Sequence, residues 1–198
     1  MQTANIYAEQ GGEGADLLLM LHGMGATGAV WSPMCGMAST RWAGRWLALD
    51  LPGHGRSGRQ DSYAIGQCAA TVARAALPHV DPAGRLLVLG HSLGGVIALA
   101  LATGWFGVAP HRVFGAGIKA AWSDDELRRM ETLALQPAKQ FSTEEEARER
   151  YLKVSGLAGI ADASAAAAAR GVERGADGWG LAMDPPAKAV GQPPPARP

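Results

Sequence analysis

The segment from Leu86 to Ala109 constrains the chain most. It runs for twenty-four residues with no side chain charged at neutral pH other than His91, and its interior reads Gly90-His91-Ser92-Leu93-Gly94-Gly95. Such a length would span a bilayer as one helix. The glycines argue against that, because they are turn chemistry in the middle of the run and divide it into a buried strand over 85–90 and a buried helix over 93–103. A strand that passes straight into a helix through Gly-x-Ser-x-Gly holds its serine in a strained backbone conformation at the carboxyl end of the strand. The flanking glycines leave room for so tight a bend. Ser92 is therefore the candidate catalytic nucleophile. The backbone N–H of Leu93, at the start of the following helix, is the candidate for one oxyanion donor.

The first two-thirds of the chain repeats this alternation of short apolar runs with helical patterns, the signature of a parallel sheet covered by helices. Clear strands are expected over 17–21, 46–50, 85–90 and 112–117, with a weaker one over 5–8. All four clear strands are almost continuously apolar, as strands buried on both faces are. Helices are expected over 30–39, 65–77 and 93–103. With 47% apolar and 18% charged residues the chain falls in the range of one globular domain. Eighteen basic residues balance eighteen acidic ones. No net field then favours nucleic acid or an anionic membrane, and a small, largely uncharged substrate is expected. Residues 1–16 show no basic stretch followed by an apolar one, so the expectation is a cytoplasmic protein. Cys35 and Cys68 have no metal-like spacing and are expected as reduced thiols, with no metal and no cofactor.

From Ser123 the composition changes. Ser123-Asp124-Asp125-Glu126 and Ser142-Thr143-Glu144-Glu145-Glu146 each open a helix with a capping residue and an acidic first turn, and the alanine-rich run 163–169 predicts a third helix. The expected organisation is a core over 1–122, a helical segment over 123–184 and a proline-rich tail without fixed structure over 185–198.

The motifs together resemble the α/β-hydrolase family. His22-Gly23-Met24-Gly25 follows the strand over 17–21, Trp31 lies in the next helix, Asp50-Leu51-Pro52-Gly53-His54-Gly55-Arg56-Ser57 follows the strand over 46–50, and Gly-His-Ser-Leu-Gly-Gly follows the third. The resemblance implies a three-layer α/β-hydrolase sandwich around a mostly parallel sheet, incomplete at its C-terminal edge, with a helical cap after the family's sixth strand. It implies a serine hydrolase acting on an ester, lactone, thioester or amide through an acyl-enzyme. The N–H of Met24 then joins that of Leu93 in the oxyanion hole. His22, Gly23, Trp31, His91 and Trp122 are candidate pocket residues.

The family places its acid and its histidine after the nucleophile, whereas the five histidines here are His22, His54, His79, His91 and His111. The ring of His22 is expected to brace the oxyanion loop, and that of His91 to point away from the nucleophile. His79 and His111 fall on the far side of the sheet. His54 remains as the candidate substitute base, with Asp124 or Asp125 as the acid. The pattern reads as a C-terminally truncated hydrolase with impaired turnover. It also implies a bare apolar edge over 112–118, open to self-association. The alternative reading is a hydrolase-like binding or self-associating protein without catalysis.

Overall fold

Alternating side chains in the apolar runs face opposite sides of one sheet. The computed structural model describes residues 4–119, 121 and 123–189. Strands β1 (Ala8–Gly12), β2 (Leu17–Leu21), β3 (Arg45–Leu49), β4 (Leu86–His91) and β5 (Arg112–Ala116) lie in the order β1-β3-β2-β4-β5, with only β1 antiparallel to its neighbour. Leu17, Leu19 and Leu21 of β2, with Leu47, Leu49, Leu86 and Val88, meet α2 (Ile65–Ala76) and α3 (Leu93–Leu101) in the main core. Leu18 and Met20, with Trp46 and Ala48, face α1 (Ser32–Arg41) on the other side. Helices on both faces of a mostly parallel sheet make the three-layer α/β sandwich that the periodicity predicts.

Three expectations require correction. The weak strand lies at 8–12 rather than 5–8. Its sequence Ala-Glu-Gln-Gly-Gly has little strand propensity of its own, and it is held by pairing with β3, with Gly11 under the ring of Trp46. Strand β5 is not buried on both faces: four of its five residues are exposed, including Phe114. It pairs with β4 alone among the described residues.

The third correction concerns the segment after β5. Helices α4 (Asp124–Leu135), α5 (Glu144–Ser155) and α6 (Ala166–Arg170) are present, but the chain then forms a hairpin, β6 (Val172–Gly175) and β7 (Gly178–Leu181). Its two-residue turn is Ala176-Asp177, flanked by the paired Gly175 and Gly178, and the cluster Gly175-Ala176-Asp177-Gly178 was the turn signal available in the sequence. Helix α5 begins on a capping box in which Thr143 and Glu146 satisfy each other's backbone N–H groups. Ala147, Tyr151 and Leu152 of α5 join Ala168 and Val172 in a second, smaller core that packs against Val30. The proline-rich stretch also begins in order rather than as a tail. Pro185–Ala189 is a 3₁₀ helix whose Ala187 is buried in the main core. Among the described residues no helix is long and apolar enough to cross a membrane.

Candidate active site

Ser92 links β4 to α3 with φ 49° and ψ −115°, and it is the one non-glycine residue with positive φ among those described. A backbone of this kind costs on the order of 1–3 kcal/mol and persists only where the surroundings dictate it. Here they do. The N–H of Ser92 donates to the Ala116 carbonyl at 2.8 Å and that of Gly94 to the His22 carbonyl at 3.1 Å, so the ends of β5 and β2 clamp the turn from both sides. A Cβ at Gly90 would overlap the Gly94 carbonyl, and one at Gly94 the Leu21 and His22 carbonyls. The glycines of the motif are thus required by close backbone approach.

The loop after β2 lies against the serine. A Cβ on Gly23 would sit 3.3 Å from Ser92 Cβ and 3.0 Å from His91 Nδ1. Met24 follows it, and Leu93 is the first residue of α3, where backbone N–H groups have no acceptor within the helix. Ser92 itself is half-buried.

The two buried histidines serve the loops. His22 is fully buried. Its Nε2 accepts the Leu51 N–H at 2.8 Å, which leaves the proton on Nδ1 to be donated to the Gly23 carbonyl at 2.7 Å. Burial first, and the neighbouring His54 second, push its pKa down to about 3. A ring so engaged braces the loop and forms no pocket wall. His54 packs edge-on to it, with ring centroids 5.2 Å apart. Nδ1 of His54 donates to the Pro52 carbonyl at 3.0 Å, and burial lowers its pKa to about 4. Its Nε2 is buried without a partner among the described residues. Neither ring bonds to Ser92, and Ser92 Oγ has no hydrogen-bond partner among the described residues.

The remaining candidates separate. The half-buried ring of His91 lies between Gly23 and Gly117. Trp31 belongs to the layer under α1, with Met20 and Cys35, rather than to a pocket over Ser92. Asp124 and Asp125 are exposed in the first turn of α4, and Asp125 pairs with Arg128 there, so neither reaches the site. Trp122 lies outside the described residues. His111 donates its N–H to the Leu86 carbonyl at the amino end of the sheet, and His79 lies by Leu17 and Arg45 at that same end.

Sequence reasoning gave Asp50 no role, yet its carboxylate joins the two loops. Oδ1 accepts the Gly28 N–H at 2.7 Å and Oδ2 the Arg56 N–H at 2.9 Å. Burial raises its pKa, against the pull of those donors. A carboxylate directly after the apolar run Trp46 to Leu49 was the available signal, since a charge there must find donors. Tyr151 of α5 adds a link from the second core, with its hydroxyl 3.1 Å from Thr27 Oγ1. Beside Met24 and Gly25 opens a cavity of about 400 Å³, whose other walls come from residues 136–188.

With this geometry, comparison with known proteins is decisive for the family. The model of the alpha/beta hydrolase family matches residues 18–196. The chain belongs to the α/β-hydrolase family. Among curated proteins it is 37% identical over 111 residues to a pimeloyl-[acyl-carrier protein] methyl ester esterase of Aliivibrio salmonicida, a match covering 56% of this chain and 38% of that enzyme. It is 36% identical over 119 residues to a dihydrolipoyllysine-residue acetyltransferase component of an acetoin cleaving system from Pseudomonas putida, covering 58% of this chain and 29% of that protein. The match thus spans well under half the length of either relative. Among solved structures, a putative hydrolase from Rickettsia typhi superposes with a TM-score of 0.74 at 16% identity, covering 92% of this chain and 65% of that one. A thioesterase domain from a curacin biosynthetic pathway gives 0.68 at 20% identity, covering 94% and 70%. At these identities the likeness concerns the fold.

Proposed function

We propose that this α/β-hydrolase chain carries a serine nucleophile, Ser92, that attacks the carbonyl carbon of an ester, lactone, thioester or amide of a small molecule. The observation that supports this most strongly is the strained backbone of Ser92 at a strand-to-helix turn clamped by β2 and β5. Strain that the surrounding structure enforces in this way clusters at functional positions. Attack forms a bond from Oγ to the carbonyl carbon and places negative charge on the carbonyl oxygen, which the N–H groups of Leu93 and Met24 are proposed to receive. Collapse breaks the bond to the alcohol, thiol or amine, which leaves carrying a proton equivalent to that lost by Oγ and relayed through solvent. Water then adds to the acyl-serine, the Oγ–acyl bond breaks, and the acid and the free hydroxyl of Ser92 are released.

Activation of Ser92 is the slow part of this proposal. His22 and His54 are neutral near pH 7, and neither ring is in hydrogen-bond contact with Ser92, so neither is placed to take the Oγ proton directly. Catalysis from an oxyanion hole and binding alone is on the order of 10³–10⁴-fold over water. Turnover by this chain is accordingly expected to be slow. A fluorophosphonate probe followed by peptide mapping tests the assignment: slow labelling at Ser92, abolished by Ser92→Ala, supports it. Robust p-nitrophenyl ester turnover that survives Ser92→Ala overturns it. The unpartnered Oγ also favours a second reading, a hydrolase-like protein that binds without reacting. That reading requires ligand binding with no labelling at any probe concentration.

A further inference from the structure

The balanced net charge hides an uneven distribution. Lining the cavity of about 400 Å³ beside Met24 and Gly25 are three cations, Lys139, Arg150 and Lys188, and no carboxylate among the described residues. The apolar part of the wall is Met24, Val154, Leu181 and Met183. The same three cations also line an adjoining cavity of about 250 Å³, where Arg59 joins them and Glu173 is the one lining acid among the described residues. Two neighbouring hollows therefore share a cationic seam in a chain whose formal net charge is zero.

These cations are only partly engaged elsewhere. Lys188 Nζ donates to the Gln136 and Pro137 carbonyls at 3.3 and 3.4 Å, which positions the ammonium without neutralising it. Lys139 Nζ stands 5.0 Å from the centroid of the Phe141 ring, again with its charge retained. Arg150 has neither an ion pair nor a hydrogen bond among the described residues. Its guanidinium offers five donors in a fork that matches a carboxylate or a phosphate. Arg59, in contrast, is already paired with Asp184. Converging like charges repel one another, so such a seam is stabilised by an anion placed among them.

The position of the seam connects it with Ser92. Met24 is both a wall of the larger cavity and the residue after Gly23, which lies against Ser92. The Val154 and Leu181 side chains meet Gly25 on the same wall, so α5 and β7 form the cavity directly beside the oxyanion loop. We infer that this cavity holds the acyl part of an anionic substrate, an apolar chain lying along Met24, Val154, Leu181 and Met183 that bears a carboxylate or phosphate group bound by Arg150, Lys139 and Lys188. This rests on the hydrolase reading for its connection to Ser92, and it replaces the largely uncharged substrate expected from net charge.

Titration calorimetry of the full chain with octanoate, octyl phosphate and octan-1-ol separates charge from apolar contact. One or both anions are expected to bind at least about tenfold more tightly than the alcohol, a preference that weakens as salt rises. Arg150→Gln should reduce that preference about threefold and the Arg150→Gln, Lys139→Gln pair should abolish it, whereas Arg128→Gln, an exposed charge change on α4, should leave it intact. Arg150 and Lys139 are exposed, so both variants are expected to fold, and circular dichroism checks this. Preference for octanoate alone identifies a carboxylate, and preference for octyl phosphate alone a phosphate. Equal binding of the alcohol and both anions, or a preference untouched by the paired variant, overturns the proposal. Fluorophosphonate labelling of Ser92, slowed by the favoured anion, links the cavity to the nucleophile. Anion preference without labelling would leave the cavity standing and remove the hydrolase reading, and labelling without preference would do the reverse.

Discussion

The turn at Ser92 and the segment after β5 are built on opposite terms. Around the turn, backbone meets backbone: carbonyls of Leu21, His22 and Gly94 stand where any side chain at positions 90 and 94 would have to be. Buried neutral histidines and a buried carboxylate hold the loops on either side. In the later segment, charged side chains ride on short helices and a hairpin around a core of a few residues; some pair locally, as Asp125 does with Arg128 and Glu144 with Arg148, while Lys139, Arg150 and Lys188 line cavities. The first region has almost no freedom to vary. The second can change its exposed charges, Lys139 and Arg150, without disturbing the sheet, which suits a region proposed to select the substrate.

Glycine substitutions make the sharpest test of that contrast. Gly94→Ala forces a Cβ into the Leu21 and His22 carbonyls and should cost more than about 4 kcal/mol or prevent folding. Gly156→Ala, at the left-handed end of α5 with open space around it, should cost only about 1 kcal/mol. Urea denaturation measures both, and similar losses would erase the distinction between the two regions.

Acid should act on the rigid region next. His22 and His54, ordinarily near 6.5, are held down to about 3 and about 4, so between those values and 6.5 the unfolded chain binds protons that the native protein refuses. Their contribution is complete above about pH 6.5 and is lost as pH falls, at up to about 1.4 kcal/mol per pH unit for each ring. Asp50 opposes this in the carboxylate range. Burial raises its pKa in the native state, so its contribution diminishes as pH rises through that range. Stability measured from pH 7 to pH 4 should therefore fall, and His54→Gln should reduce the slope by about half. A flat profile in the parent protein would show that the rings do not stay neutral and buried.

The smallest effect probes the joint between the regions. Tyr151→Phe removes the hydroxyl that meets Thr27 and keeps the ring, so the expected loss is about 1 kcal/mol. Because Thr27 belongs to the loop beside Ser92, the variant should also slow fluorophosphonate labelling. Lower stability with unchanged labelling would mean that α5 supports the fold without ordering the loop.

What the sequence by itself determined follows from short-range rules. Apolar runs of five residues, a strand passing directly into a helix through Gly90-His91-Ser92-Leu93-Gly94-Gly95, and capping residues before acidic first turns each specify local geometry, and the sheet, Ser92 and the helices after β5 were legible from them. Tertiary structure alone decided the rest. Strand β1 exists because β3 offers it a partner, Ala187 is ordered because the main core accepts it, and Trp31 lies under α1 because the sheet face there is apolar. The same holds for charge. A count of eighteen and eighteen is a sum over the whole chain, whereas Lys139, Arg150 and Lys188 come from three separate stretches that only folding brings around one cavity. Coulomb interactions depend on separation in space, and that separation is a property of the fold rather than of residue order.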